Sequence, residues 1–173
     1  WLTAHRPDLV ARAAGVLLPK DALRAVLVPE ADVAVTDRSD ASATLLWDVL
    51  ADGWSAAALE AADVPVALLP QVRPGTDVVG TTVLGEAEVP VVVGGADTPL
   101  ALLAAGTTDG LQVNLGTGAQ VLRPGWMPAP ADEPPTRGYS DVLDGWYAMA
   151  ALQEGGSAWS AARAELGLSW AEF

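Results

Sequence analysis

The chain has 173 residues, of which 51% are hydrophobic, enough for one ordinary domain or two small lobes with a packed core. With no cysteine and a single histidine, His5, it excludes disulfides and thiolate chemistry and argues against a serine triad or a histidine-based metal site. A formal net charge of −13 argues against a nucleic-acid surface, which needs clustered Lys and Arg, and is read as a solvated exterior.

Residues 1–12 mix charged and apolar side chains from the start, unlike a signal peptide. The most apolar runs, 89–93 and 99–105, are short and interrupted by Gly, Asp or Pro, so no bilayer crossing and a cytoplasmic location are expected. Trp1 stands inside what reads as a helix, which suggests that this is not a natural N-terminus. Residues 8–14 carry apolar side chains at helical spacing, with Gly15 as the stop. Pro19 opens a second helix over 20–28, with Leu23, Val26 and Leu27 on one side. Lys20 (the only lysine), Asp21 and Arg24 are expected on its surface face or in a local ion pair. Residues 36–42 are rich in capping side chains and predict a loop leading into a short helix at Leu45, Leu46 and Trp47. Capping also explains Asp37, Ser39, Asp40 and Ser42 better than a metal loop does. Ser55 is the N-cap of a helix over 56–62, with Trp54 and Leu59 placed as a hydrophobic staple. Pro65, Pro70 and Pro74 punctuate a connector, and 78–83 predicts a strand.

Residues 90–93 form a short β-branched run that suits a buried strand, closed by Gly94-Gly95. Thr98 as N-cap, Pro99 at the first helical position and Gly106 past the end predict a helix between them. Strands at 111–115 and 119–122 are joined by Gly116, Thr117 and Gly118. The proline-rich stretch 124–137 predicts an exposed loop, 145–152 a strand, and Gly155-Gly156-Ser157 the approach to a helix over 158–166. A lobe boundary near 106–110 would set Asp97 and the Gly116 turn on opposite walls of a cleft. Trp1, Trp47, Trp54, Trp126, Trp146, Trp159 and Trp170 are scattered, which favours core packing over sugar stacking.

Two places could carry chemistry. Asp97 follows a strand and a glycine turn and opens a helix, the position where α/β proteins bind ligands. Gly94 and Gly95 permit close approach, and the carboxylate could accept a proton from a hydroxyl attacking a phosphoryl group. On pattern alone, an acid in the first helical turn is better explained by the helix dipole and its free amides. Gly116, Thr117 and Gly118 could aim backbone N–H groups at phosphate oxygens, or form an ordinary hairpin turn. The segment is not a Walker A loop, because Gly-Lys-Ser/Thr is absent. Taken singly, each place is better explained structurally; their order in one chain is the stronger signal.

That order resembles the FGGY carbohydrate kinases, and their xylulokinase branch most closely. The matching residues are Gly94-Gly95-Ala96-Asp97-Thr98 and Asn114-Leu115-Gly116-Thr117-Gly118. Trp1-Leu2 with Pro7, Leu17-Leu18-Pro19-Lys20-Asp21-Ala22-Leu23-Arg24, Thr36-Asp37-Arg38-Ser39-Asp40-Ala41-Ser42, and Thr44-Leu45-Leu46-Trp47-Asp48 are similar to family segments in the same order. The match continues through Trp54, Leu59, Leu68-Leu69-Pro70 and Val79-Gly80, so it covers nearly the whole chain.

The resemblance implies an α/β, actin-like ATPase or ribonuclease H-like fold, with parts of two lobes present. Residues 1–106 would be the end of the N-terminal sugar-binding lobe and 107–173 the start of the C-terminal nucleotide-binding lobe. It implies ATP-dependent phosphorylation of xylulose or a related ketose or polyol, with Asp97 as general base. Asp97 and Thr98 would contact the substrate, and Gly116, Thr117 and Gly118 the ATP phosphates. ATP and Mg²⁺ are the implied cofactors, the metal bridging the phosphates with no metal-binding residue assigned. The implied partners are a small sugar and ATP, with no nucleic acid or membrane, and a homodimer is a compatible assembly. Thr98 replaces a common Asn and Ala96 a frequent Gly, which bears on the choice of sugar. The family's N-terminal aspartate and its adenosine-binding glycines find no counterpart, and Gly155-Gly156 comes too early for the latter. The expectation is an internal piece of a kinase, inactive alone. The alternative is a non-catalytic actin-like domain that binds sugar, nucleotide or a partner.

Overall fold

Proline fixes φ near the helical value and lacks the N–H that a first helical turn leaves unpaired, and it opens two of the first three helices. In the computed structural model, which describes residues 1–29, 34–127 and 137–173, α1 (Leu2–His5) is followed by α2 (Pro7–Arg12) and α3 (Pro19–Leu27). The expected helix over 8–14 thus starts at Pro7 and ends before Ala13, which is already extended. After β1 (Val35–Thr36), α4 (Arg38–Ala43) occupies the stretch expected to be a loop. Asp37 is its N-cap and accepts from the Ser39 N–H at 2.8 Å, so capping begins the helix here instead of at Leu45. Leu45 itself turns the chain, with φ of 63°.

The paired strands β2 (Trp47–Asp48) and β3 (Gly53–Trp54) lead to α5 (Ala56–Ala62). Ser55 caps α5 as expected, its Oγ accepting from the Ala58 N–H at 3.3 Å. A 3₁₀ turn, Val66–Leu68, precedes β4 (Gln71–Val72), which runs parallel to β1. Then β5 (Val78–Leu84) and β6 (Ala87–Val92) form an antiparallel hairpin. The expected buried strand at 90–93 is corrected: Val93 is buried, but Val92 and most of β6 are exposed, because β6 pairs only with β5 among the described residues.

Helix α6 (Asp97–Ala105) starts one residue ahead of the expected cap Thr98, with Asp97 itself in the first turn. It ends at Gly106, whose φ of 65° is the left-handed C-cap that glycine allows. Strands β7 (Gln112–Leu115), β8 (Ala119–Pro124), β9 (Arg137–Ser140) and β10 (Trp146–Leu152) make one sheet in the order β7-β8-β10-β9. Helix α7 (Gly156–Glu165) begins two residues before the expected Ala158. Of the proline-rich loop expected over 124–137, residues 128–136 lie outside the described residues, and Pro124 closes β8.

The chain forms two compact units, Trp1–Ala101 with Ser140–Gly145, and Leu102–Tyr139 with Trp146–Phe173. In the first, Val35, Ala41, Trp47, Leu59 and Val93 are buried. Arg38 ties Ser140–Gly145 into this unit, donating to the carbonyls of Leu143 at 2.9 Å and Gly145 at 2.8 Å. In the second, Leu102, Leu122 and Tyr147 form the core, with Tyr139 and Met149 packed against them. The expectation of tryptophan core packing holds for Trp47 and in part for the half-buried Trp54 and Trp146; Trp1, Trp126, Trp159 and Trp170 are exposed. Among the described residues no helix is long and apolar enough to cross a membrane.

Leu122 is fully buried at the centre of the second unit. Leu122→Ala should lower the stability of that unit by about 3 kcal/mol in urea denaturation, whereas Val83→Ala on the exposed hairpin should cost under about 0.5 kcal/mol. Equal losses would contradict this assignment of the core.

Candidate functional site

Helix α3 turns its charged side inward. Asp21 and Arg24 are buried while Leu23 and Val26 face outward, so of the two expected roles the surface face is corrected and the local ion pair is present, Asp21 lying 2.7 Å from Lys20 and 2.8 Å from Arg24. The cause is that the carbonyls of buried Val35 and Val93 take their hydrogen bonds from these charged side chains. The Arg24 guanidinium donates to Asp21 Oδ1 at 2.8 Å, to the Val93 carbonyl at 3.0 Å and to the Val35 carbonyl. Lys20 Nζ lies 2.7 Å from Asp21 Oδ1, 3.2 Å from the Val93 carbonyl, and 3.3 Å from both Asp37 Oδ1 and Asp40 Oδ2. Burial alone would pull the Lys20 pKa down, but its bond to Asp21 and the charges of Asp21, Asp37 and Asp40 outweigh that and hold it above the usual lysine range. Asp40 is held above the usual carboxylate range, by burial first and by repulsion from Asp37 and Asp21, against the pull of Lys20.

This cluster grips the chain just ahead of Asp97. Asp37 Oδ2 accepts from both the N–H and the hydroxyl of Ser39, and Ser39 Oγ accepts from the Ala96 N–H at 2.9 Å. Gly94 has φ of 83°, donates its N–H to the Gly75 carbonyl at 2.8 Å, and passes so close to Lys20 that a Cβ would lie 3.2 Å from Cδ. A Cβ on Gly95 would stand 2.5 Å from Val142 Cγ1, so this position also requires glycine. Asp97 then emerges exposed in the first turn of α6, two residues ahead of the buried Pro99. Its Oδ1 accepts from the Thr98 N–H at 2.6 Å and the Thr98 hydroxyl at 3.3 Å. Oδ2 makes no hydrogen bond among the described residues. A carboxylate so placed is oriented on one side and able to take a proton on the other.

The second unit holds Gly116, Thr117 and Gly118 between β7 and β8, against the start of α7. The Gly116 carbonyl accepts from the Gly156 N–H at 2.7 Å. The Thr117 carbonyl accepts from the Gly155 N–H at 2.9 Å, the Ser157 N–H at 3.4 Å and the Ser157 hydroxyl at 3.0 Å. These carbonyls satisfy the free amides of the first turn, which is why α7 begins at Gly156. A Cβ on Gly155 would stand 2.5 Å from the Gly118 carbonyl carbon, and one on Gly118 2.7 Å from the Leu152 oxygen. Within the turn the Gly116 N–H bonds to the Gly118 carbonyl at 2.9 Å, leaving the N–H groups of Thr117 and Gly118 without a partner among the described residues. An open groove of about 600 Å³ lies alongside, lined by Asn114, Gly116, Gly118, Gln120, Leu152 and Gln153. No cationic side chain lines it, so an anion there would meet backbone amides and the Asn and Gln side chains.

Asp97 and Thr98 thus belong to the first unit and Gly116, Thr117 and Gly118 to the second. Sequence reasoning missed the clamp formed by Lys20, Asp37 and Ser39, and the packing of Gly155-Gly156 on the turn. The only sequence signals were an isolated lysine beside acids and a glycine pair before a helix. Among the described residues no group of three or more His, Cys, Asp or Glu is placed to hold a metal ion.

Residues 1–104 match the FGGY family of carbohydrate kinases, N-terminal domain. The xylulose kinase of Escherichia coli (strain K12) is 33% identical over 124 residues, covering 68% of this chain and 25% of that protein. The glycerol kinase of Shewanella sp. (strain MR-4) is 38% identical over 108 residues, covering 60% of this chain and 20% of that protein. The chain therefore spans a quarter or less of the length of these relatives. Among solved structures, the xyloylose kinase of Brucella ovis superimposes with a TM-score of 0.81 at 27% identity, covering 98% of this chain and 36% of that one.

Removing the ammonium from the buried acids tests the clamp's energetics. Lys20→Met should destabilise the first unit by about 3 kcal/mol at neutral pH, since it strands buried carboxylates. The folded pKa of Lys20 lies above its unfolded value of about 10.4, so this stabilisation is complete below that pH and fades as pH rises through the folded value. Urea denaturation should show the gap between wild type and Lys20→Met closing under strongly alkaline conditions. A gap that widened there would contradict the sign.

Proposed function

The chain belongs to the FGGY family of carbohydrate kinases and has the actin-like ATPase fold of its sugar-kinase neighbours, and from that premise we propose that Asp97 is the general base of an ATP-dependent sugar kinase. The observation that carries this reading is the state of its carboxylate: exposed, held through Oδ1 by Thr98, with Oδ2 unengaged among the described residues. Oδ2 accepts the proton of a substrate hydroxyl as that oxygen bonds to the γ-phosphorus. The bond from the γ-phosphorus to the bridging oxygen breaks, and ADP leaves. The free N–H groups of Thr117 and Gly118 are proposed to bind phosphate oxygens and stabilise the charge that builds on them.

Mg²⁺ supplies charge neutralisation at the nucleotide phosphates when bound. Such an ion takes much of its coordination from phosphate and water. Residues 1–106 are assigned to the end of the sugar-binding lobe and 107–173 to the start of the nucleotide-binding lobe.

Xylulose or a related ketose or polyol is the proposed acceptor. Glycerol stands beside it, since the Shewanella glycerol kinase is 38% identical against 33% for the Escherichia coli xylulose kinase, over a shorter span. Thr98 bears on that choice, because its hydroxyl is turned to Asp97 at 3.3 Å and so differs in reach from the common Asn.

ADP release from the full natural chain, with ATP and a panel of ketopentoses and polyols, tests the base. Asp97→Asn should lower kcat by about 10²- to 10⁴-fold with the melting temperature little changed. Wild-type turnover in that variant would overturn Asp97 as the base, whereas no turnover by the unsubstituted protein would leave a binding domain as the better description. The 173-residue chain alone should show no turnover, and robust phosphorylation of a ketopentose by it, lost in Asp97→Ala, would contradict the division into partial lobes.

A further inference from the structure

The Ser39 hydroxyl is buried, yet it touches the loop that delivers the base. It donates to Asp37 Oδ2 and accepts from the Ala96 N–H at 2.9 Å, using a hydroxyl's capacity in both directions. Asp37 is itself buried and lies 3.3 Å from Lys20 Nζ, so the hydroxyl's acceptor is held by a fixed charge. Lys20 and Arg24 also hold the Val93 carbonyl, at 3.2 and 3.0 Å. The strand end and the residue before Asp97 are therefore both tied to one polar cluster, with the Gly94 N–H on Gly75 between them.

We propose that Ser39 is a positioning residue for phosphoryl transfer: through the Ala96 N–H it fixes the backbone from which the Asp97 carboxylate is aimed at the substrate hydroxyl. This rests on Asp97 being the base. Ser39 touches neither substrate nor nucleotide in this role. Its loss lets the turn at 94–96 relax while the rest of α4 stays in place. A misplacement of the order of 1 Å at a reacting group can cost about 100-fold in rate.

A matched control lies one turn further along the same helix. Ser42 is also buried, and its hydroxyl donates to the Ser39 carbonyl at 2.9 Å and accepts from the Ser140 N–H at 3.1 Å, with no bond to residues 93–97. The experiment compares Ser39→Ala, Ser42→Ala and Asp97→Asn in the full natural chain, by steady-state kinetics and by amide exchange of the peptide over 93–98. Ser39→Ala should lower kcat roughly 10- to 100-fold, leave KM for ATP unchanged and speed exchange over 93–98. Ser42→Ala should leave kcat within about two-fold and that exchange unaltered. If Ser39→Ala does not fold, Ser39→Cys keeps the volume but offers a weak sulfur acceptor, and the same fall in kcat is expected.

Wild-type kcat in Ser39→Ala with Asp97→Asn inactive overturns the positioning role and leaves the base in place. Wild-type kcat in both overturns the base as well. Equal falls in Ser39→Ala and Ser42→Ala, tracking lost stability, reduce Ser39 to a structural residue and also overturn the proposal.

Discussion

A half-buried ammonium shared by three carboxylates is the constraint on which the first unit is built. Lys20 sits within 3.3 Å of Asp21, Asp37 and Asp40 and also reaches the Val93 carbonyl, while Arg24 bonds to Asp21 and the same carbonyl. Charges buried like this have to be paired, and the pairing is geometrically demanding. It draws together α3, the start of α4 and the end of β6, elements separated by tens of residues in the chain. The glycines at 94 and 95 then become necessary, because the backbone passes against Lys20 on one side and Val142 on the other.

The glycine turn of the second unit is constrained differently. Its carbonyls, with no charged group involved, satisfy the opening amides of α7, and the close approach requires glycine at 118, 155 and 156. Two of its amides stay unpaired among the described residues, which is the arrangement a phosphate cradle needs. The same geometry explains why Gly155-Gly156, which reads as a loop before a helix, is part of the turn's support.

Much of the chemistry that is decided locally was readable. Ser55 capping α5, Gly106 closing α6 and the strand–Gly-Thr-Gly–strand unit all depend on neighbours within a few residues. Asp97 was also legible, as an acid after a glycine pair at a helix start. The largest misjudgement depends on distant partners, while two smaller ones are local. The charged side of α3 looks like a surface face until the buried carbonyls of Val35 and Val93 are known. The stretch at 36–42 looks like a loop until Asp37 is seen capping a helix within it. Scattered tryptophans suggest a core, yet Trp170 lies under the Arg163 guanidinium at 4.9 Å and against Phe173 while remaining exposed. The role of Ser39 had no local signal, since a serine two residues after an N-cap is unremarkable and its contact to Ala96 spans 57 positions.

The central claim is that this stretch of chain carries the base and the phosphate cradle of a carbohydrate kinase. Hydrogen exchange on the full natural chain tests it most directly, with a non-hydrolysable ATP analogue and a ketopentose added separately and together. The account predicts slowed exchange over 115–119 with the nucleotide and over 93–98 with the sugar. Unchanged exchange over 115–119 at saturating nucleotide would contradict it, leaving Gly116, Thr117 and Gly118 as a plain hairpin turn.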